Sequence, residues 1–371
     1  MGLGTVVHVV GARPNFVKMA PVIAALEDRA DVEQRIVHTG QHYDARMSAE
    51  MLSDLEFPVP DIFLGVGSGT HGAQTARALE AFERVLLDER PDFVCVGGDV
   101  NSSLAVALAA AKLRIPIAHV EAGLRSFDWT MPEEINRVLT DRLSEILFTH
   151  SPEAATNLAA EGIDENRVRF VGNTMIDSLR RFEARAEGRQ PWDALAVERG
   201  TYVLVTLHRP SNVDEGDQLR RVVTALMRLG ESVPVLFPVH PRTTERLRDE
   251  GLLSGLEQAG VRCLEPLGYL DFLGLEIGAG AIVTDSGGLQ EEASALGVPC
   301  FTLRPNTERP ITITQGTNTL LGEDPGPIAD IRPRELEHRP ARIEGWDGHA
   351  GERAADAIAA ALGARRARAY A

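Results

Sequence analysis

Two carboxylates in this sequence stand directly after short apolar runs. Asp99 lies in GGDVNSS, after FVCVG, and Glu121 lies in HVEAGLRS, after IPIAHV. A carboxylate at the end of a buried strand needs a cation or a ligand beside it, because an unpaired buried charge is costly. Carboxylates are also common general acids and bases. The pattern therefore predicts proton-transfer chemistry at these two strand exits.

The segment SFDWTMPEEINR adds a third carboxylate, which has two interpretations. Thr130, Pro132 and Glu133 match a helix N-cap, a proline in the first turn and a capping-box acid. Beside the other two carboxylates, Glu133 is equally a candidate acid or base, and Arg125 and Arg137 are cations that hold carboxylates in place. The sequence leaves both interpretations open.

Two basic residues follow the first apolar run, VVHVV. Arg13 and Lys18 stand in GARPNFVK, where a dinucleotide-binding protein carries the glycine fingerprint G-x-G-x-x-G. Bound NAD is therefore disfavoured, and cations suited to an anionic substrate stand in that place. The histidines and cysteines form neither H-E-x-x-H nor a zinc-ligand spacing. We expect no metal and no cofactor.

A second set of candidates lies in the C-terminal half. In TDSGGLQEE, the residues Ser286, Gly287 and Gly288 begin a helix whose backbone N–H groups and dipole favour a phosphate. Glu292 lies one turn further along the same face, where a carboxylate can accept both ribose hydroxyls. A plain serine N-cap followed by acids is the alternative. His208, after YVLVTL, is either a ligand contact opposite such a helix start or a structural residue.

These residues need a framework in which several strands end at one edge. Apolar runs alternate with helical periodicity from the start, as in VVHVV, the helix with Phe16, Met19 and Ile23 on one face, and RIVHT. The alternation predicts parallel sheets covered on both faces, with ligands bound beyond the carboxyl ends of the strands.

The stretch 184–200, rich in Gly, Pro and mixed charge, interrupts this alternation and predicts a domain boundary. We expect an α/β protein with two Rossmann-like domains that face each other across a cleft. Residues 1–184 would form the N-terminal domain with the carboxylates, and residues 200–350 the C-terminal domain with the phosphate-binding helix. Residues 351–371 would form a closing helix, which can pack back on the N-terminal domain.

Composition narrows the partners of the protein. The net charge of −16 over 371 residues argues against nucleic acid. No run of about 18 apolar residues exists to span a membrane, and MGLGTVVHVV has neither the basic start nor the small-residue cleavage site of a signal peptide, so we expect a cytosolic protein. Only two of 38 basic residues are lysines, which suits a protein in concentrated salt, although genome composition can also favour arginine. Cys95, Cys263 and Cys300 are expected to be reduced core thiols.

Seven motifs in order resemble those of non-hydrolysing UDP-N-acetylglucosamine 2-epimerases: GARPNFVKMAP, GGDVNSSLA, HVEAGLRS, MPEEINR, VGNTMID, TDSGGLQEE and TERP. The resemblance spans nearly the whole chain. It implies the two-domain fold that this family shares with GT-B glycosyltransferases, a homodimer, and interconversion of UDP-GlcNAc and UDP-ManNAc for cell-surface glycan synthesis. Some members bind a second substrate molecule as an activator, and Gln41, His42 and His240 fall near the corresponding motifs.

The resemblance also implies a role for each candidate residue. The implied acid/base carboxylates are Asp99, Glu121 and Glu133, and His208 is an implied catalytic residue and a diphosphate or sugar contact. The remaining implied substrate contacts are Arg13 and Lys18, Ser286, Gly287 and Gly288 at the phosphates, Glu292 at the ribose, Leu267 and Phe272 at the uracil, and Arg309 at the nucleotide end.

Inversion at C2 without NAD can proceed by loss of UDP from C1 and a proton from C2, followed by return of both. Three alternatives stay open from the sequence. A hydrolysing relative would release ManNAc and UDP, a GT-B glycosyltransferase would need an acceptor, and a sensor would bind a nucleotide sugar without turnover.

Overall fold

The computed structural model describes residues 2–40 and 45–369, without the side chains of residues 13, 45–49, 368 and 369. It forms two compact units. The first unit comprises Met1–Arg181 and Glu344–Ala371, and the second comprises Phe182–Ile343.

The first unit contains a parallel sheet with seven strands in its described part, in the order β3-β2-β1-β4-β5-β6-β7. The strands are β1 (Gly4–Val10), β2 (Val32–His38), β3 (Ile62–Phe63), β4 (Phe93–Gly97), β5 (Ile117–Val120), β6 (Ile146–Thr149) and β7 (Val168–Phe170). The helices are α1 (Arg13–Glu27), α2 (Ala45–Asp54), α3 (His71–Glu89), α4 (Asn101–Lys112), α5 (Pro132–Leu143), α6 (Pro152–Ala160) and α7 (Thr174–Arg189).

The second unit contains a parallel sheet of six strands in the order β10-β9-β8-β11-β12-β13, all within residues 182–343, which are described throughout. The strands are β8 (Val203–Thr206), β9 (Val235–Pro238), β10 (Val261–Leu264), β11 (Ala281–Thr284), β12 (Cys300–Thr302) and β13 (Asn318–Leu320). The helices are α8 (Pro191–Ala194), α9 (Pro210–Val213), α10 (Gly216–Gly230), α11 (Pro241–Asp249), α12 (Leu253–Gln258), α13 (Tyr269–Gly278), α14 (Gly287–Leu296) and α15 (Ile311–Thr314).

Short 3-10 helices occupy Glu165–Arg167, Gly326–Asp330 and Pro333–Glu335, and the last helix is α16 (Ala350–Ala369). The prediction of an α/β fold with two Rossmann-like parallel sheets is confirmed. Within the parts of the chain that the structure describes, no helix is long and apolar enough to cross a membrane. A cytosolic location stays a prediction.

The strand order places one switch point in each sheet. In the first sheet β1 lies between β2 and β4, and in the second β8 lies between β9 and β11. Helices therefore leave the strands on either side of these positions in opposite directions, which opens a crevice at the carboxyl ends where ligands bind in open α/β sheets. The strands β4 and β11, which lie beside these two switch points, are buried along their whole length.

The boundary between the units differs from the sequence-based one. It falls after Arg181, inside α7, which continues through residues 184–189 to Arg189. Ala, Arg and Glu favour a helix there, and a single glycine is tolerated within it. Residues 344–350, assigned from the sequence to the second domain, belong to the first unit together with α16.

Candidate active site

An ion pair joins the exits of β1 and β5. Lys18 Nζ, on α1, contacts Glu121 Oε2, directly after β5, and the two residues are only 5% and 8% exposed. Glu121 has a φ of +68°. A left-handed conformation costs a residue with a side chain about 1–3 kcal/mol, and such strain often marks functional positions. The backbone and the cation therefore both fix this carboxylate.

Asp99 lies in the loop between β4 and α4 and pairs with Arg137 of α5. Arg137 Nε donates to Asp99 Oδ2 at 3.1 Å, and its Nη2 contacts the same oxygen. Asn136 Nδ2 donates to the Asp99 carbonyl at 2.9 Å. The Asp99 side chain keeps 20% of its surface exposed. Its charge is therefore balanced while the carboxylate stays accessible.

Helix α5 does not begin as the capping-box interpretation predicted. Its N-cap is Met131, which makes no side-chain cap, and Thr130 Oγ1 instead donates to Asp128 Oδ1 at 2.6 Å. Thr130 lies one residue too early to cap the helix, because Pro132 is already its first residue. The capping prediction is wrong, and Glu133 is left half-buried in the first turn.

The neighbouring carboxylate, Glu134, organises the loop after β5. It is 1% exposed and accepts hydrogen bonds from the Ser126 and Phe127 backbone N–H groups, each at 2.9 Å. Arg137 Nη1 donates to it at 2.9 Å. Arg137 therefore links Glu134 to the Asp99 carboxylate.

Arg125, at the end of HVEAGLR, is buried and makes two ion pairs, one with buried Asp141 and one with Glu161 at the surface. Its Nη1 lies 2.8 Å from Asp141 Oδ2, and its Nε lies 2.6 Å from Glu161 Oε1. Burial lowers the pKa of Arg125, but the two carboxylates outweigh it and raise that pKa overall. His119 Nδ1 contacts the other Asp141 oxygen at 2.7 Å, and its Nε2 contacts the Gly98 carbonyl at 2.8 Å. This network joins β5, α5 and the loop that carries Asp99.

In the second unit, His208 follows β8 and rests on a buried carboxylate from the exit of β11. Asp285 Oδ1 lies 3.1 Å from His208 Nδ1, and Asp285 Oδ2 accepts from the backbone N–H groups of His208 at 3.0 Å and Arg209 at 2.9 Å. Burial opposes ionisation of Asp285, but His208 and the Asn212 amide outweigh it and lower its pKa. The His208 side chain itself is 51% exposed.

Helix α14 begins as the sequence predicts. Ser286 is its N-cap, without a side-chain capping bond, and Gly287 and Gly288 are its first two residues. A Cβ on Gly287 would lie 2.3 Å from Arg309 Nη1 and 2.7 Å from Glu308 Oε1. A side chain at position 287 would therefore displace the buried ion pair of Arg309 and Glu308 that lies against the first turn of α14.

The other residues predicted to contact the nucleotide in the second unit are buried or partly buried. Glu292 is 6% exposed on α14, and Leu267 and Phe272 are partly buried against the apolar core of the second unit. Arg309 is 4% exposed and pairs with Glu308, and its Nε lies 3.1 Å from Glu291 Oε2. The side chains of Arg13, Gln41 and His42 lie outside the described residues.

The chain is similar over most of its length to one family of nucleotide-sugar enzymes. Residues 24–359 match the family model of UDP-N-acetylglucosamine 2-epimerases. The chain belongs to this family. The UDP-N-acetylglucosamine 2-epimerase of Methanocaldococcus jannaschii is 46% identical over 323 residues, which cover 85% of this chain and 88% of that protein.

A solved structure and one further relative are also similar to this 2-epimerase-family chain. The crystal structure of the Methanocaldococcus jannaschii UDP-GlcNAc 2-epimerase in complex with UDP-GlcNAc and UDP superposes with a TM-score of 0.89 at 42% identity, covering 95% of this chain and 99% of that one. The UDP-2,3-diacetamido-2,3-dideoxy-D-glucuronate 2-epimerase of Pseudomonas aeruginosa is 43% identical over 320 residues, covering 85% of this chain and 88% of that protein.

The sequence of this 2-epimerase-family chain did not reveal several residues that hold the candidate site residues in position. Glu134, His119 and Asp141 hold the carboxylate-bearing loops, and Asp285 holds His208. The spacing of Glu134 and Arg137, three residues apart on a helix, was the one available signal. Among the described residues, no group of three or more His, Cys, Asp or Glu side chains is arranged to hold a metal.

Proposed function

We propose that the chain interconverts UDP-N-acetylglucosamine and UDP-N-acetylmannosamine without hydrolysis, NAD or a metal. The observation that carries this proposal is the pair of cation-matched carboxylates at the switch point of the first sheet. Glu121 is held by Lys18 and Asp99 by Arg137. Two fixed carboxylates suit a reaction that removes a proton from one face of a carbon and returns one to the other face.

In the proposed elimination step, a carboxylate of the first unit takes the C2 proton. The C2–H electrons form the C1–C2 double bond, and the C1–O electrons leave with UDP to give a glycal. Return of UDP to C1 and of a proton to the opposite face of C2 completes the epimerisation. Asp99, Glu121 and Glu133 are the candidate proton carriers, and Lys18 and Arg137 hold two of them in position.

The second unit would stabilise the departing diphosphate. Backbone N–H groups at Ser286, Gly287 and Gly288 and the dipole of α14 favour negative charge, and the half-exposed His208 adds a donor. These interactions strengthen as charge develops on the leaving group, which is where binding energy accelerates a reaction. Glu292 would accept the ribose hydroxyls, and Arg13, Leu267, Phe272 and Arg309 keep their predicted substrate contacts.

Proton NMR of UDP-GlcNAc with the protein in D2O tests the proposal. We expect UDP-ManNAc to appear, with solvent deuterium at C2 of both sugars and no added NAD or divalent metal. Retention of the C2 proton through many turnovers would exclude the elimination. Free ManNAc as the main product would identify a hydrolysing enzyme, and turnover that requires an acceptor sugar would identify a glycosyltransferase.

A modified sugar is the second candidate substrate. The Pseudomonas aeruginosa relative, at 43% identity, is named for a diacetamido glucuronate. Its uronate would need a cation that GlcNAc does not need. Competition between the two UDP-sugars at equal concentration, followed by the same NMR signals, measures the ratio of their kcat/KM values. We expect the larger kcat/KM for UDP-GlcNAc.

We also propose that the protein is a homodimer formed through α5. Ile135 and Leu139 are 40% and 45% exposed on one stripe of this helix, and Phe127 and Trp129 before it are 72% and 63% exposed. Because Ile135 and Leu139 are one turn apart, a two-fold axis between them would set each against the other in a second copy. Leu139→Asp should give a monomer in light scattering, and a monomeric wild type would contradict the proposal.

A further inference from the structure

Three side chains from two segments, Asn15 and Lys18 of α1 and Glu121 after β5, converge on Gly98, the residue before Asp99. A Cβ built on Gly98 would lie 3.0 Å from Lys18 Nζ, 3.5 Å from Glu121 Oε2 and 3.7 Å from Asn15 Nδ2. The Asn15 amide and the Lys18–Glu121 ion pair therefore all lie within 4 Å of one point at Gly98. All three side chains belong to residues that are at most 8% exposed. In such a site a change of one charge acts with little screening by solvent.

The orientation of the Asn15 amide follows from its two bonds. Its Oδ1 accepts from the Ala12 N–H at 3.1 Å, and its Nδ2 donates to the Gly97 carbonyl at 2.7 Å. It thereby ties the start of α1 to the end of β4. An aspartate at this position could keep the first bond but would set an oxygen against the Gly97 carbonyl, and it would be a second carboxylate beside Lys18.

Several neighbouring charges among the described residues have ion-pair partners of their own. Arg137 of α5 pairs with both Asp99 and Glu134. Asp141 pairs with both His119 and Arg125, and Arg125 also pairs with Glu161. Among the described side chains of α1, Lys18 is the cation that pairs with Glu121. The charge state of residue 15 decides whether Lys18 serves one carboxylate or two.

We propose that Asn15 is a positioning residue whose neutral amide reserves the Lys18 charge for Glu121 and so sets the pH at which Glu121 takes up a proton. The proposal rests on the proposed function for the role of Glu121 in turnover. In Asn15→Asp, a new negative charge would disfavour ionised Glu121 and divide the attraction of Lys18. Glu121 would then take up its proton at a higher pH.

The lysine content of the chain allows a direct measurement that needs no substrate. Lys18 and Lys112 are its only lysines, so protein grown with lysine labelled with ¹³C at Cε gives two lysine side-chain signals. Lys112 ends α4 and is exposed, which makes it an internal reference. The Lys18 signal should show an inflection in acid as Glu121 takes up its proton. We expect Asn15→Asp to move this inflection up by about one pH unit.

Two further variants separate charge from structure. Asn166→Asp adds the same charge to an exposed residue just before β7, the strand at one edge of the first sheet, and should leave the Lys18 inflection unmoved. Asn15→Ala removes both amide bonds without adding charge, and it should also keep the inflection. An unmoved inflection in Asn15→Asp would overturn the proposal. If that variant does not fold, a shift in Asn15→Ala would overturn it instead.

The activity assay distinguishes this proposal from the proposed function. The pH profile of kcat for C2 exchange should shift on its acidic side in Asn15→Asp by the same amount as the Lys18 inflection. A merely structural role for Asn15 would lower kcat equally at every pH. If the wild-type protein exchanges no C2 hydrogen, the proposed function fails, while the NMR titration still decides what Asn15 does to Glu121.

Discussion

The two units hold their candidate residues in different ways. In the first unit, Glu121 and Asp99 are side-chain carboxylates in loops, each fixed by a cation from a helix. In the second unit, the anion-binding part is the backbone at the start of α14, and the ion pair of Arg309 and Glu308 lies against it. The first arrangement suits groups that exchange protons, because neighbouring charges set their protonation. The second suits recognition of a constant charge by fixed dipoles.

This difference implies that single substitutions of similar size should act differently in the two units. Removing a charge in the first unit should slow the chemical step and spare nucleotide binding. Changing the shape of the backbone in the second unit should weaken nucleotide binding instead.

The largest effect is expected from the carboxylates of the first unit. Asp99→Asn and Glu121→Gln should each slow turnover by roughly 10²-fold or more, because proton transfer loses its acceptor. UDP affinity by calorimetry should change little. Glu165→Gln, at an exposed position before β7, serves as the control and should retain full kcat. Equal losses of kcat and of UDP affinity would erase the distinction between the two units.

The adjacent acids Glu133 and Glu134 should separate turnover from stability. Glu134→Gln removes the buried charge opposite Arg137 and should lower the free energy of unfolding by about 2–3 kcal/mol. Glu133→Gln should keep the stability and lose turnover roughly 10²-fold. Thermal unfolding and kcat measured on both variants check this. The reverse pattern would assign the acid/base role to Glu134.

A smaller effect concerns Asp177, a residue of the first unit that caps α16. It is 7% exposed and accepts from the Gly351 N–H at 2.6 Å, and burial raises its pKa from 3.8 to about 6. The folded state therefore binds this proton more tightly than the unfolded chain. Its stabilising contribution is full below pH 3.8 and is lost as pH rises through about 6.

Asp177→Asn should remove this pH dependence. Between pH 4.5 and 7.5, the wild type should lose about 2 kcal/mol of stability relative to the variant. His8, whose pKa burial lowers to about 4, acts in the opposite direction but is present in both proteins. Chemical unfolding at the two pH values measures the difference. Parallel pH curves for the two proteins would contradict the expectation.

The smallest effect is expected in the second unit. Gly287→Ala should weaken UDP binding by about 10-fold, because its Cβ would displace Arg309 Nη1 and tilt the first turn of α14. Gly188→Ala, in a helix with open space around the glycine, is the matched control and should bind UDP normally. Unchanged UDP affinity in Gly287→Ala would place the diphosphate away from this turn.

The alternating pattern of the sequence predicts the strand exits, and hence the loops in which Asp99, Glu121 and Ser286 lie. The pattern does not predict which charged side chains form ion pairs, because Lys18 and Glu121 are 103 positions apart and are brought together only by the strand order. Nor does it separate Glu133 from Glu134, since two adjacent acids look alike until the rotation of α5 buries one of them. The unit boundary inside α7 is hidden for a similar reason, because helix propensity continues across it.

The return of α16 to the first unit has a consequence for synthesis on the ribosome. Chains emerge from the N-terminus at about 5–20 residues per second. The second unit, Phe182–Ile343, is synthesised as one uninterrupted segment, whereas the first unit lacks Glu344–Ala371 until these residues have been translated. The unit whose synthesis begins first is therefore completed after the other one. The Asp177 carboxylate, for example, cannot accept its hydrogen bond from Gly351 until that residue, 174 positions later, has been translated. A message truncated just after residue 343 would yield a complete second unit joined to a first unit without α16. The apolar surface that α16 covers would then be exposed and available to chaperones.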